Sequence, residues 1–261
     1  MIDPEALPVQ SLGLGDRTGA VAPGARKAVF IEITVLWLVT LLAIRAVVAI
    51  QAAGLPDWTL ALVPFLFIYA PVGLCQWRKV DSYAYRLAIP DPVRALFPRD
   101  GDLSDREAWR AALLLVGKVI AVILLPWLVG YHLYQTLIFG LHPAWRVPHD
   151  AWLLVPYHLF FVALPEEFFY RGYLQTRLNE VFPRTFLILG TPFGWALPIA
   201  CVYFAFGHSL VNVQWWHFAT FFPGLAFGLL REKTGGPLAG ALFHAWCNVC
   251  VVWLDTAYGL R

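Results

Sequence analysis

Charge is what this 261-residue chain has least of. Asp, Glu, Lys and Arg make up 14% of it, where a soluble domain runs near ~25%. The formal net charge is only +2, so there is no field of one sign to hold a polyanion, and nucleic-acid binding is excluded. Cysteine is sparse. Cys75, Cys201, Cys247 and Cys250 lie in or beside apolar runs, which is not the pattern of a secreted disulfide framework. The first 25 residues carry Asp3, Glu5, Asp16 and Arg17 and no apolar stretch, so no cleavable leader is expected. Strand-like alternation over ten-residue segments is missing, which excludes a membrane barrel. Internal repeats are missing too, which weighs against an inverted-repeat transporter.

What the chain has is apolar sequence. Hydrophobic residues make up 59%, aromatics 16%, and tryptophan occurs 12 times; the mean hydropathy is +0.64. The expected class is an all-α, polytopic transmembrane bundle, because lipid demands that backbone groups be satisfied inside each segment. Apolar runs at 28–50, 58–77, 111–138, 151–182, 195–213, 217–230 and 237–254 predict about seven spans, with six to eight as bounds. Segment 183–194 could be a re-entrant piece. Residues 1–27 read as a polar tail and 28–255 as the membrane domain, with a cytoplasmic loop at 78–110. Arg86 and Arg94 in that loop could rest on anionic headgroups.

Most Lys and Arg fall in the tail, in the 78–110 loop, and around 177–184 and 231–233. Only Arg146 and Arg261 fall on the other side. This predicts a cytoplasmic N-terminus in a cell inner (plasma) membrane. Arginine far outnumbers lysine, which hints at a GC-rich bacterial genome.

An ionised side chain at the bilayer centre costs about 2.5–3.5 kcal/mol on insertion scales, so intramembrane charges are functional candidates. Glu166, Glu167 and Arg171 fall together in FFVALPEEFFYRGYLQ. Glu167 and Arg171 are i,i+4 with the acid first, the better order for an ion pair. A packing ion pair alone would account for those two but not for Glu166. FAFGH sets Phe204 and His208 at i,i+4, and HAWCN does the same for His244 and Asn248.

Depth ties the clusters together. Glu166 is 11 residues from Arg177, about 17 Å along a helix; His208 is 13 from Trp195, about 20 Å; His244 is 8 from Gly236, about 12 Å. Independent structural polar groups have no reason to share one slab. Together they fit an intramembrane catalytic cavity for peptide hydrolysis. Glu166 and His208 could activate a water, His244 and Asn248 could meet the oxyanion, and Glu167 and Arg171 could orient them. A zinc reading stays open, with Glu166, His208 and His244 as ligands. No H-E-x-x-H pair supports it. The H-x-x-C-x-x-C run of His244, Cys247 and Cys250 is a weaker soft-metal candidate.

These residues carry a resemblance. EEFFYR, FAFGH and HAWCN match the EExxxR, FxxxH and HxxxN motifs of the CPBP family in order, and the flanking RGYLQTRL and FFPGLAFGLLREKTGG runs agree. The chain is identified by resemblance over roughly 150–255 as a member of that family. It contains CAAX-type prenyl endopeptidases and bacteriocin-processing or immunity proteins. The resemblance implies a glutamic-type intramembrane endopeptidase. Glu166, His208, His244 and Asn248 would be catalytic; Glu167, Arg171 and Phe204 would support them; no cofactor would be needed. It implies a membrane-embedded or lipid-anchored protein substrate, cut near its C-terminus. A non-catalytic membrane immunity or binding protein, a zinc protease on the same residues and a proton-coupled transporter are the alternatives.

Overall fold

The computed structural model describes residues 23–85, 87–98, 102–144, 146–211 and 214–261. Most of the expected polar tail, and Arg86 of the headgroup expectation, lie outside them. Ten α-helices are described: α1 (Arg26–Ala52), α2 (Leu62–Trp77), α3 (Pro92–Leu96), α4 (Ser104–Phe139), α5 (Ala151–Tyr157), α6 (Leu164–Glu167), α7 (Gln175–Val181), α8 (Ala196–Val211), α9 (Phe221–Thr234) and α10 (Leu238–Ala257). Four helical stretches are long and apolar enough to cross a membrane: α1, Asp57–Trp77, α4 and α10; α8 is a shorter apolar helix. The protein is a multi-pass helical membrane protein. Its many exposed large apolar side chains, such as Val122, Leu125, Leu137 and Phe222, are those of a surface that meets lipid rather than water.

The expected runs reappear as helices with shifted ends. The third starts earlier, at Ser104, so the 78–110 loop closes in a helix; it also contains α3. Asp91 caps α3 by accepting from the backbone N–H groups of Val93 and Arg94, with Pro92 at the first helical position. The fourth run is helical from Ala151 to Val181, but π-helical turns at His158–Ala163 and Phe168–Leu174 separate α5, α6 and α7. Such turns recur at functional positions.

One expectation needs correcting. Segment 183–194, read without strand signal, holds an antiparallel hairpin of β1 (Phe186–Ile188) and β2 (Thr191–Phe193). Its two-residue turn puts Leu189 at φ 50 and Gly190 at φ 72. Both central residues are left-handed, as a tight hairpin turn requires. The segment was missed because a leucine stands where Asn or Asp usually marks such a turn.

The chain divides into two compact units, one comprising residues up to Ala88 and Glu167–Pro237, the other Ile89–Glu166 and Leu238–Arg261. The first packs α1, α2, the Phe168–Val181 helix, α8 and α9 around Ile33, Ile44, Phe169, Leu174, Phe204 and Phe227. In it Glu32, an acid within α1, accepts from Tyr173 Oη at 2.7 Å, from Arg177 Nε at 2.9 Å, and from Arg78. This joins α1 to α2 and α7 and answers why a carboxylate interrupts the first span. The second unit packs α4 and α10 with Ala151–Glu166. Tyr131 donates to Asp255 at 2.6 Å, and the His132 ring meets Tyr258 Oη at 2.5 Å. Among the described residues no contact explains Lys118, exposed on α4.

Candidate active site

The division between the units falls between Glu166 and Glu167, inside the EExxxR motif. Each unit therefore carries its own set of candidate residues.

In the first unit, Glu167 and Arg171 are both fully buried, with Arg171 Nε donating to Glu167 Oε2 at 3.1 Å. A buried pair survives only when its remaining valences are answered. Arg171 Nη2 donates to the carbonyl of Gly224 at 3.1 Å, and its guanidinium lies 5.1 Å over the Phe204 ring. The Phe204 ring lies 4.4 Å from that of His208. Nδ1 of His208 is 3.0 Å from the carbonyl of Phe204. A carbonyl only accepts, so Nδ1 carries a proton, and the lone pair of the neutral ring sits on Nε2. Arg171, Phe204 and His208 thus form a stack in which a fixed cation supports an aromatic that supports an imidazole.

The sequence reading missed what holds this stack. Arg171, Gln175 and Asn179 form one stripe of the fourth helix. Gly224, Gly228 and Glu232 form one stripe of α9. Arg171 donates to Gly224, Gln175 to Gly228 at 3.2 Å, and Asn179 to Glu232 at 2.7 Å, each across 53 residues. Constant spacing means that the two helices run parallel along this face. The glycines bring the α9 backbone close enough for side chains to reach it: a Cβ on Gly228 would stand 2.9 Å from Gln175 Oε1. Glu232, its side chain 1% exposed, accepts from Gln175, Asn179, Arg184 and Arg231. The signal was present in G-x-x-x-G at 224–228 and in Arg, Gln and Asn at four-residue steps.

Arg177, read as an orienting charge at the end of the fourth helix, and Arg231, read as one in the loop after the sixth, are buried ion-pair members instead. Phe169 and Tyr170, inside the EExxxR motif, are core residues packed on Phe67.

In the second unit, His244 Nε2 lies 4.0 Å from Glu166 Oε2. His244 is buried and Asn248 half-buried one turn further along α10. Trp246, two residues from both His244 and Asn248 and so on another face of α10, stacks on Phe243 at 5.5 Å and meets Trp127 at 6.2 Å. His158, in the first π turn, also belongs to this unit and escaped the sequence reading. Its Nδ1 is buried with no hydrogen-bond partner among the described residues. Among those residues no three His, Cys, Asp or Glu side chains cluster as a metal would need, His244, Cys247 and Cys250 included.

Residues 148–250 match the family described as type II CAAX prenyl endopeptidase, Rce1-like. The chain carries a CPBP-family protease domain. The match spans all three motifs, from Glu166 to Asn248, and leaves α1, α2 and α4 outside it. No curated protein and no solved structure matches the chain. At the level the family supports, the CPBP domain is that of an intramembrane endopeptidase, and a membrane-protein substrate within the bilayer suits it.

Proposed function

We propose that the protein hydrolyses a peptide bond near the C-terminus of a membrane-associated or exported protein, using a water activated by Glu166 and His208. The supporting observation is the ordered set of three motifs inside the matched segment. Glu166 takes the proton of the attacking water as general base. His208, with its lone pair on Nε2, holds that water. As the carbonyl carbon becomes tetrahedral, Asn248 and His244 donate hydrogen bonds to the oxyanion. Collapse breaks the C–N bond, and the proton held by Glu166 passes to the leaving amine. Glu167, Arg171 and Phe204 orient the first two groups. The N-terminus lies in the cytoplasm and the membrane is the cell inner (plasma) membrane. No metal or cofactor takes part.

The test compares membrane-protein C-termini by mass spectrometry in cells with wild-type protein and with Glu166→Ala. Shortened C-termini that vanish with Glu166→Ala are expected and would name the substrate. Identical C-termini in both would overturn the proposal. Loss of cleavage on chelation, restored by zinc, would replace water activation by Glu166 with metal chemistry on Glu166, His208 and His244.

A further inference from the structure

His208 sits in the last turn of α8, whose closing carbonyls have no partner inside the helix. Two side chains from elsewhere in the same unit cover them. Arg45, within the apolar run of α1, places Nη1 2.9 Å from the carbonyl of Leu210 and 3.1 Å from that of Val211. His217, in the 3-10 turn Trp215–Thr220, places Nδ1 3.3 Å from the carbonyl of His208 itself. Because a carbonyl only accepts, His217 Nδ1 is the protonated nitrogen. Thr220 Oγ1 donates to the His217 carbonyl at 2.7 Å and closes that turn. The two imidazole rings stand 6.3 Å apart and nearly perpendicular.

An arginine within a membrane span is costly without a task. The C-terminal end of a helix supplies one, since open carbonyls and the helix dipole both favour a cation there. The covered turn is also the one from which the His208 ring takes its orientation, because Nδ1 hydrogen-bonds back to Phe204 one turn earlier. A shift of this turn would move the ring and release its tautomer together.

We propose that Arg45 and His217 are positioning residues for His208: they clamp the C-terminal turn of α8 and thereby fix the depth and the Nδ1–H tautomer of the imidazole. The proposal deepens the hydrolytic role given to His208 and rests on it. Both residues act through the backbone, without touching substrate. A cap that only stabilised the fold would lower the yield of folded protein and leave the ring unchanged.

The experiment uses 15N-histidine-labelled protein in lipid nanodiscs, with His208→Gln to assign the His208 signal. Cleavage is followed in cells through C-terminal mass spectrometry. Wild type is expected to show one neutral His208 tautomer. Arg45→Met and His217→Phe are expected to give mixed tautomers and cleavage reduced about ten- to a hundredfold, the scale of a small misplacement in a site. Arg45→Lys, which keeps a cation, and His217→Asn, which keeps the donor, are expected to restore most of both. A His208 spectrum unchanged in Arg45→Met and His217→Phe overturns the clamp. If Arg45→Met does not fold, the His217 pair decides by the same readings. Cleavage unaffected by Glu166→Ala overturns the hydrolytic reading instead, while the spectrum still judges the clamp.

Discussion

Arg171 shows how much one residue can carry in a chain this poor in charge. It neutralises Glu167, ties α9 through the carbonyl of Gly224 and supports the Phe204 ring beneath His208. Replacing it with methionine leaves Glu167 buried without its cation, an imbalance that costs about 3–5 kcal/mol. Arg171→Met is therefore expected to lower thermal stability in detergent sharply and to abolish cleavage. The Glu167→Gln/Arg171→Met double variant removes both charges and is expected to recover most of the lost stability while remaining inactive. Recovery of activity in that double variant would show the pair to be a packing element only. The i,i+4 spacing made this ion pair legible in the sequence. The burial of Arg177 and Arg231 was not legible because bonds to distant segments leave no local mark: Arg177 pairs with Glu32, and Arg231 donates to the carbonyl of Arg171.

Between helices, the deciding contacts are those that need the absence of a side chain. A Cβ on Gly207 of α8 would lie 2.3 Å from the Tyr170 hydroxyl oxygen, with the next ring atom at 3.4 Å. Gly207→Ala is expected to destabilise by about 1–3 kcal/mol, as overpacking does. The companion change Tyr170→Phe removes the clashing oxygen and is expected to restore most of the loss. Thermal unfolding of both singles and the double closes the cycle, and strict additivity would refute the contact. Helix existence was legible from run length and hydropathy, and so were the three motif positions within their helices. The π turns, the β1–β2 hairpin and the Gly224–Gly228 face were not. Each depends on hydrogen bonds to partners outside its own segment, or on a turn residue of the wrong type, as Leu189 is.

For the whole molecule, the distribution of Lys and Arg predicts a cytoplasmic N-terminus. The burial of Arg177 and Arg231 removes two residues from that argument but leaves Arg26, Lys27, Arg78 and Lys79 in place. A reporter active only in the cytoplasm, fused ahead of Arg26, is expected to be active. One fused after Arg261 is expected to be silent, and the reverse pattern would invert the orientation.

The length of α8 has a consequence for the lipid. Its 16 residues rise about 24 Å, short of the ~30 Å of hydrocarbon in an ordinary bilayer. If α8 crosses the bilayer, a helix this short is expected to thin the lipid beside it. The proposed hydrolysis consumes water, and such thinning would shorten the path of that water to the turn bearing His208. Under the proposed function, membrane thickness is expected to set the rate: longer acyl chains would strain the fit around α8 and slow turnover without changing a single side chain.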